Sequence, residues 1–251
     1  MSGHSKWASI KHKKAATDAK RGKIFSRIAK EIIIAAKMGG GDPNSNPRLR
    51  TAISTAKSAR MPNDNIDRAI KRGTGEIEGV TYEELTYEAY GPGGVAILIE
   101  ALSDNKNRTA ADVRIVITRK NGNLANSGSV AWIFDKVGMI RIAKEACDED
   151  TAFTIATETG ADDFQVHDDA YEITTSLDSF ETVKAGFEEK EIKMELAEIT
   201  YIPKNTVKVE GKEAVKVLGL IEAIEDLEDV QNVYANFDIS DEEIEKFSGG
   251  Q

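Results

Sequence analysis

The sequence is poor in the residues that most often announce chemistry. A single cysteine, Cys147, offers no pair for a disulfide and no spacing for zinc. Its neighbours Asp148 and Glu149 disfavour a thiolate, so a reactive thiol is not expected. The three histidines, His4, His12 and His167, stand at no metal-ligand spacing. Neither G-x-S-x-G nor G-x-G-x-x-G occurs, and the glycines at 39–41 lack the G-K-[ST] of a phosphate loop. The acidic pairs Asp162-Asp163 and Asp168-Asp169 and the run Asp241-Glu242-Glu243 read as solvated turns and tails. No enzymatic site, metal or cofactor is expected. The longest apolar run, residues 32–36, is far too short to span a bilayer. The lysines near the start have no apolar stretch behind them, as a secretory signal would. These absences together point to a cytoplasmic protein.

Acid is scarce in one place only. Residues 1–75 carry 17 Lys and Arg against 5 Asp and Glu, a net charge of +12, whereas the other 176 carry 16 against 38, a net charge of −22. The overall −10 hides this split. A segment so basic fits a polyanion first, and docking on the acidic remainder of the same chain is the lesser alternative. The acidic remainder would repel a polyanion and suits a basic protein partner.

Residues 5–20 are dense in lysine around Trp7 and Ile10 and read as a short helix or a tail that orders on contact. A helix follows over about 21–38. Ile24, Phe25, Ile28, Ala29, Ile32, Ala35 and Ala36 share one face, and Lys20, Lys23, Arg27, Lys30 and Lys37 lie opposite. Ile34 falls inside that basic stripe as an exception. Glycines 39–41 with Asp42 and Pro43 break the helix. Asn46 reads as an N-cap and Pro47 as the first residue of a helix to about Arg60, and Pro62 opens another that ends near Gly73. From Tyr82 the composition turns toward strands. Expected are a strand at 95–102, a helix at 107–120, a Gly- and Asn-rich loop and a strand at 130–134. A β-α-β-β-α-β series follows over 138–202, the order of a ferredoxin-like unit. A helix at 212–227 and a strand at 230–237 then supply the half missing from the unit begun at Val95. The expected fold is α+β: an N-terminal helical bundle (1–78), a discontinuous ferredoxin-like α+β domain (79–135 plus 204–240), a second such domain inserted in it (136–203), and an acidic tail (241–251).

Several short blocks occur in a specific order: Gly3-His4-Ser5-Lys6-Trp7, Arg21-Gly22-Lys23, Gly40-Gly41-Asp42-Pro43, Met61-Pro62, Tyr90-Gly91-Pro92, Asn107-Arg108-Thr109 and Gly128-Ser129-Val130-Ala131-Trp132 with Phe134. In order and spacing the chain closely resembles the YebC/PmpR family over essentially its whole length. The resemblance implies a three-domain fold, one α+β domain inserted in another, and a bacterial cytoplasmic role in regulating gene expression. Members are described as DNA-binding transcriptional regulators, while a mitochondrial relative activates translation.

The residues expected to meet nucleic acid are Lys6, Lys11, Lys13, Lys14, Lys20, Lys23, Arg27, Lys30, Arg48, Arg50, Lys57 and Arg60. Lysine outnumbers arginine among those up to Lys30, which favours phosphate contacts over base readout. Asn105, Lys106, Asn107 and Arg108, near a helix start, form a second candidate surface, unless Asp104 or Asn107 simply caps that helix. The expected function is a DNA-binding transcriptional regulator holding mainly the phosphate backbone; the alternative is a translation factor on ribosomal RNA.

Overall fold

The computed structural model of the chain describes residues 18–249. They fold as two compact units: residues 133–204, and the described residues before and after that segment. The larger unit begins with three helices, α1 (Asp18–Gly39), α2 (Pro47–Ser58) and α3 (Asn63–Thr74). Ile28, Ile32, Ile33, Ala35 and Ala36 recur at helical spacing along α1 and bury against Leu49, Ala52 and Ala56 of α2 and Ile66 and Ala69 of α3. Each buried isoleucine contributes roughly 1.5–3 kcal/mol. Small residues set the spacing: a Cβ at Gly73 would stand 2.5 Å from the Ile33 carbonyl oxygen and 2.6 Å from Ala36 Cβ. Asn46 does cap α2, accepting from the Leu49 N–H at 3.1 Å. Its amide also donates to Ala35 and Gly40 carbonyls at 2.8 Å each, which ties the turn to the end of α1.

The chain then forms β1 (Glu83–Tyr90), β2 (Ala96–Ser103), α4 (Lys106–Arg119) and β3 (Asn123–Ala125). The smaller unit comes next: β4 (Phe134–Ala143), α5 (Glu149–Thr159), β5 (Asp163–Val166), β6 (Ala170–Thr175), α6 (Phe180–Glu189) and β7 (Leu196–Pro203). Its sheet order is β5-β6-β4-β7, all antiparallel neighbours, with Ile140, Ile142 and Ile173 packed against Ile155, Val183 and Phe187 of the two helices. That is the ferredoxin-like order.

The larger unit resumes with β8 (Val207–Lys208), α7 (Gly211–Glu225), β9 (Val230–Ala235), β10 (Phe237–Asp238) and α8 (Asp241–Gly249). Its main sheet runs β3-β1-β2-β9, with α4 and α7 on one face burying Ile97, Ile99, Val113, Ile117, Leu220 and Val233. The spatial order matches the smaller sheet, but the strand between β2 and β3 precedes both in sequence. Three expectations are corrected. The strand expected at 130–134 is a short 3-10 turn over Ala131–Ile133 leading into one long strand, β4. The Asn-rich loop contains β3, held by Glu88, Ala89 and Tyr90 of β1. The expected acidic tail forms α8, whose Ile244 is fully buried in the larger core and whose Glu243 accepts from the Gly211 N–H at 2.6 Å.

Candidate nucleic-acid interface

The basic stripe of α1 faces protein. Lys23 Nζ pairs with Asp226 Oδ1 at 2.9 Å and also donates to the Asp226 carbonyl. Arg27 donates to the Glu225 carbonyl. Burial pulls the Arg27 pKa down, while Glu225 and Asp226 pull it up. Lys30 is only 6% exposed, with Nζ 2.7 Å from Asp229 Oδ1, 3.3 Å from the Glu228 carbonyl and 5.6 Å from the Tyr82 ring centre. Ile34, one turn further on the same face, is 4% exposed. The turn after α7 supplies these acceptors because its last carbonyls have no helical partner and its sequence, Glu225-Asp226-Leu227-Glu228-Asp229, adds carboxylates. These three cations, expected to meet phosphate, are thus held in a latch inside the chain.

Asp229 is the hub of that latch. Besides Lys30, its carboxylate accepts from Arg108 at 2.7 Å, Thr109 Oγ1 at 2.7 Å and Ser103 Oγ at 3.2 Å. Burial alone would raise its pKa; the hydrogen bonds from Arg108, Lys30 and Thr109 outweigh it and hold the group at about 2. Arg108 reaches Asp104 as well, at 2.8 Å. Asn105, rather than Asp104 or Asn107, caps α4 by accepting from the Arg108 N–H at 3.1 Å. The second candidate surface therefore contains a cap and a paired arginine, and Lys106 and Asn107 remain exposed.

The other expected contacts divide. Lys6, Lys11, Lys13 and Lys14 lie outside the described residues, and of Lys20 only the backbone is described. Arg48 is engaged by Glu31 at 2.7 Å and Glu84 at 2.6 Å. Arg50 is exposed and donates to the Pro43 carbonyl at 3.2 Å. Lys57 and Arg60 are exposed on the side of α2 away from the core and make no ion pair among the described residues. They are joined by three cations absent from the expected set: Arg68, Lys71 and Arg72, all on the solvent face of α3. The signal for them was present, since Ile66, Ala69 and Ile70 define an inner face and leave these three outside. Arg60 also has φ +59°, closing α2 with a Met61 N–H to Ala56 carbonyl bond of 2.9 Å. Glycine usually fills such a position, because a side chain there costs about 1 kcal/mol.

A second feature lies at the end of the main sheet. Glu88, 5% exposed, accepts from the N–H groups of Gly128 and Val130 at 2.6 Å and Ala131 at 2.9 Å. Burial raises its pKa, but these N–H groups more than compensate and lower it. The loop so clasped presents Trp132, which is 63% exposed. Its indole N–H donates to the Ser129 carbonyl at 3.0 Å, and Tyr90 donates to the same carbonyl at 3.1 Å. The indole is thus oriented and open to solvent. Among the described residues no three His, Cys, Asp or Glu side chains converge to hold a metal ion, and no helix is long and apolar enough to cross a membrane.

Fold and surface together define an α+β protein with a cationic three-helix module and a ferredoxin-like unit inserted into a second sheet. Residues 5–76 match a family model described as the TACO1/YebC protein N-terminal domain, and residues 82–237 match one described as the TACO1/YebC second and third domain. The chain belongs to the TACO1/YebC family. A probable transcriptional regulatory protein of Dictyoglomus turgidum is 58% identical over 99% of this chain and 100% of its own length. One of Geobacter sp. strain M21, described in the same words, is 57% identical over 98% of this chain and 99% of its own. The crystal structure of a conserved hypothetical protein from Aquifex aeolicus, 45% identical, superposes with a TM-score of 0.82 over 91% of this chain and 94% of its own.

Proposed function

We propose that the protein regulates gene expression by binding nucleic acid, duplex DNA in the first instance, through the outer faces of α2 and α3. The observation that carries this reading is the set Lys57, Arg60, Arg68, Lys71 and Arg72, exposed on one module and without ion pairs among the described residues, whereas Lys23, Lys30, Arg48 and Arg108 are paired with acids of the same chain. Cations left unpaired on one module are the footprint of a phosphate partner. Arg60 strengthens the reading, since a side chain kept in a glycine conformation points to a use for its guanidinium. The names of the relatives agree with a regulatory role. Contacts are mainly to the phosphate backbone, with the latch acids orienting the module.

A structured RNA, such as ribosomal RNA, is the second reading, and Trp132 favours it. An oriented, exposed indole suits an unstacked base, which RNA loops offer and duplex DNA does not. Titration of the full chain with a 30-base-pair duplex and with a folded ribosomal RNA fragment, at several salt concentrations, tests both. Salt-sensitive binding is expected. Quenching of Trp132 fluorescence by RNA alone would move the assignment to RNA, and salt-insensitive or undetectable binding to either polymer would contradict the proposal.

A further inference from the structure

We infer that the edge strand β5 of the smaller unit is a docking site for an extended, lysine- or arginine-rich segment of a partner protein, added as a further strand. Three independent features converge there. First, β5 pairs with β6 alone. The His167 N–H donates to the Ala170 carbonyl at 2.9 Å, which fixes the alternation, so Asp163 and Gln165 turn their backbone groups to β6 while Phe164 and Val166 turn theirs outward. The Phe164 N–H is met by Asp163 Oδ1 at 3.0 Å, leaving the Val166 N–H and the carbonyls of both for an incoming strand.

Second, the same edge carries an apolar strip. Phe153 of α5 is 52% exposed and Val166 46% exposed. Phe153 meets Phe164 edge-on at 5.5 Å, and Phe164 stacks on Tyr171 at 5.6 Å, so the strip is a continuous aromatic row that ends in solvent. Alternate apolar residues of an added strand would lie on it, which is how strand addition gains side-chain selectivity. Third, the charge is one-sided. Residues 133–204 hold 18 Asp and Glu against 7 Lys and Arg. Glu149 and Asp150 open α5, Asp162 and Asp163 open β5, and Asp168 lies in the hairpin after it. An RNA would be repelled by this rim; a cationic peptide would be drawn to it.

The test uses the full-length chain and the blocked heptapeptide Lys-Val-Lys-Val-Lys-Val-Lys, followed by amide chemical shifts. Shifts are expected to concentrate at residues 164–167. Replacing the peptide lysines by glutamate, or N-methylating its valines, should weaken binding at least tenfold, the first through charge and the second through lost backbone pairing. Val166→Pro should do the same, because that N–H is not used in the existing ladder and proline is tolerated there; Glu198→Gln, on the opposite edge strand β7, should change affinity less than twofold. Absence of binding, shifts spread over the acidic surface, equal binding of the N-methylated peptide, or an RNA oligonucleotide shifting the same amides would overturn the assignment. Should Val166→Pro fail to fold, the N-methylated peptide carries the same test.

Discussion

Asp229→Asn should destabilise the protein by an amount that vanishes in acid. The Asp229 carboxyl titrates at about 2 rather than 3.8, and each pKa unit is worth about 1.4 kcal/mol, so its ionised form contributes about 2.5 kcal/mol. Loss of the charge also leaves Lys30, 6% exposed, without its partner, and one-sided removal of a buried pair costs about 3–5 kcal/mol. Together these bracket a loss of about 2.5–5 kcal/mol. For a body of this size about 2–4 °C follows each kcal/mol, so the melting temperature should fall by roughly 5–20 °C. The sign with pH follows from the depressed pKa. The contribution is complete above the unfolded carboxyl range, near 4, and is lost as pH falls through it toward 2. Thermal or urea melts of both proteins should therefore differ fully at pH 7, and the gap should close between about pH 4 and pH 2. A change below 1 °C at pH 7, or a gap that ignores pH, would refute the latch.

Arg60→Gly separates stability from binding: relief of the left-handed backbone should raise stability by up to about 1 kcal/mol, while affinity for duplex DNA falls, as paired denaturation and binding titrations would show. Glu88→Gln removes the anion from three N–H groups and should cost about 1–3 kcal/mol; a red-shift or quenching change in tryptophan emission would report the released loop, and an unaltered melt would count against the clasp. Lys30→Ala should lower the melting temperature by several degrees, as expected of a buried ion pair rather than of a solvated lysine; calorimetry decides, and an unchanged transition would return Lys30 to the surface set.

Helices were legible in the sequence wherever caps and breakers agreed with periodicity. Asn46-Pro47 and the glycines at 39–41 set α1 and α2 to within a few residues, and the β-α-β-β-α-β element order over 138–202 matches the ferredoxin-like order of the smaller unit. The place of β1 between β2 and β3 was not legible, because strand neighbours in space need not be neighbours in sequence. Nor was α8, whose Asp241-Glu242-Glu243 start reads as a tail until Ile244 is seen to fill the core. The basic stripe shows why charge alone misleads. Lys23, Arg27 and Lys30 have the spacing of a polyanion-binding face, and the one discordant residue among them, Ile34, was the mark of a protein interface. Arg68, Lys71 and Arg72 were less conspicuous because Asp64 and Asp67 on the same helix dilute their charge.

The central claim, that α2 and α3 hold the phosphate-binding cations while the α1 stripe holds the chain together, is tested most directly by salt dependence. Binding of full-length protein to one duplex would be measured from low to physiological salt for the wild type, the Arg60/Arg68/Lys71/Arg72 quadruple alanine variant, and Lys23→Ala. Each phosphate contact contributes about 0.9 to the slope of log K against log salt. The quadruple variant should therefore lose about 3 to 4 from its slope, while Lys23→Ala should keep the wild-type slope. A quadruple variant with the wild-type slope, or a loss confined to Lys23→Ala, would contradict the account.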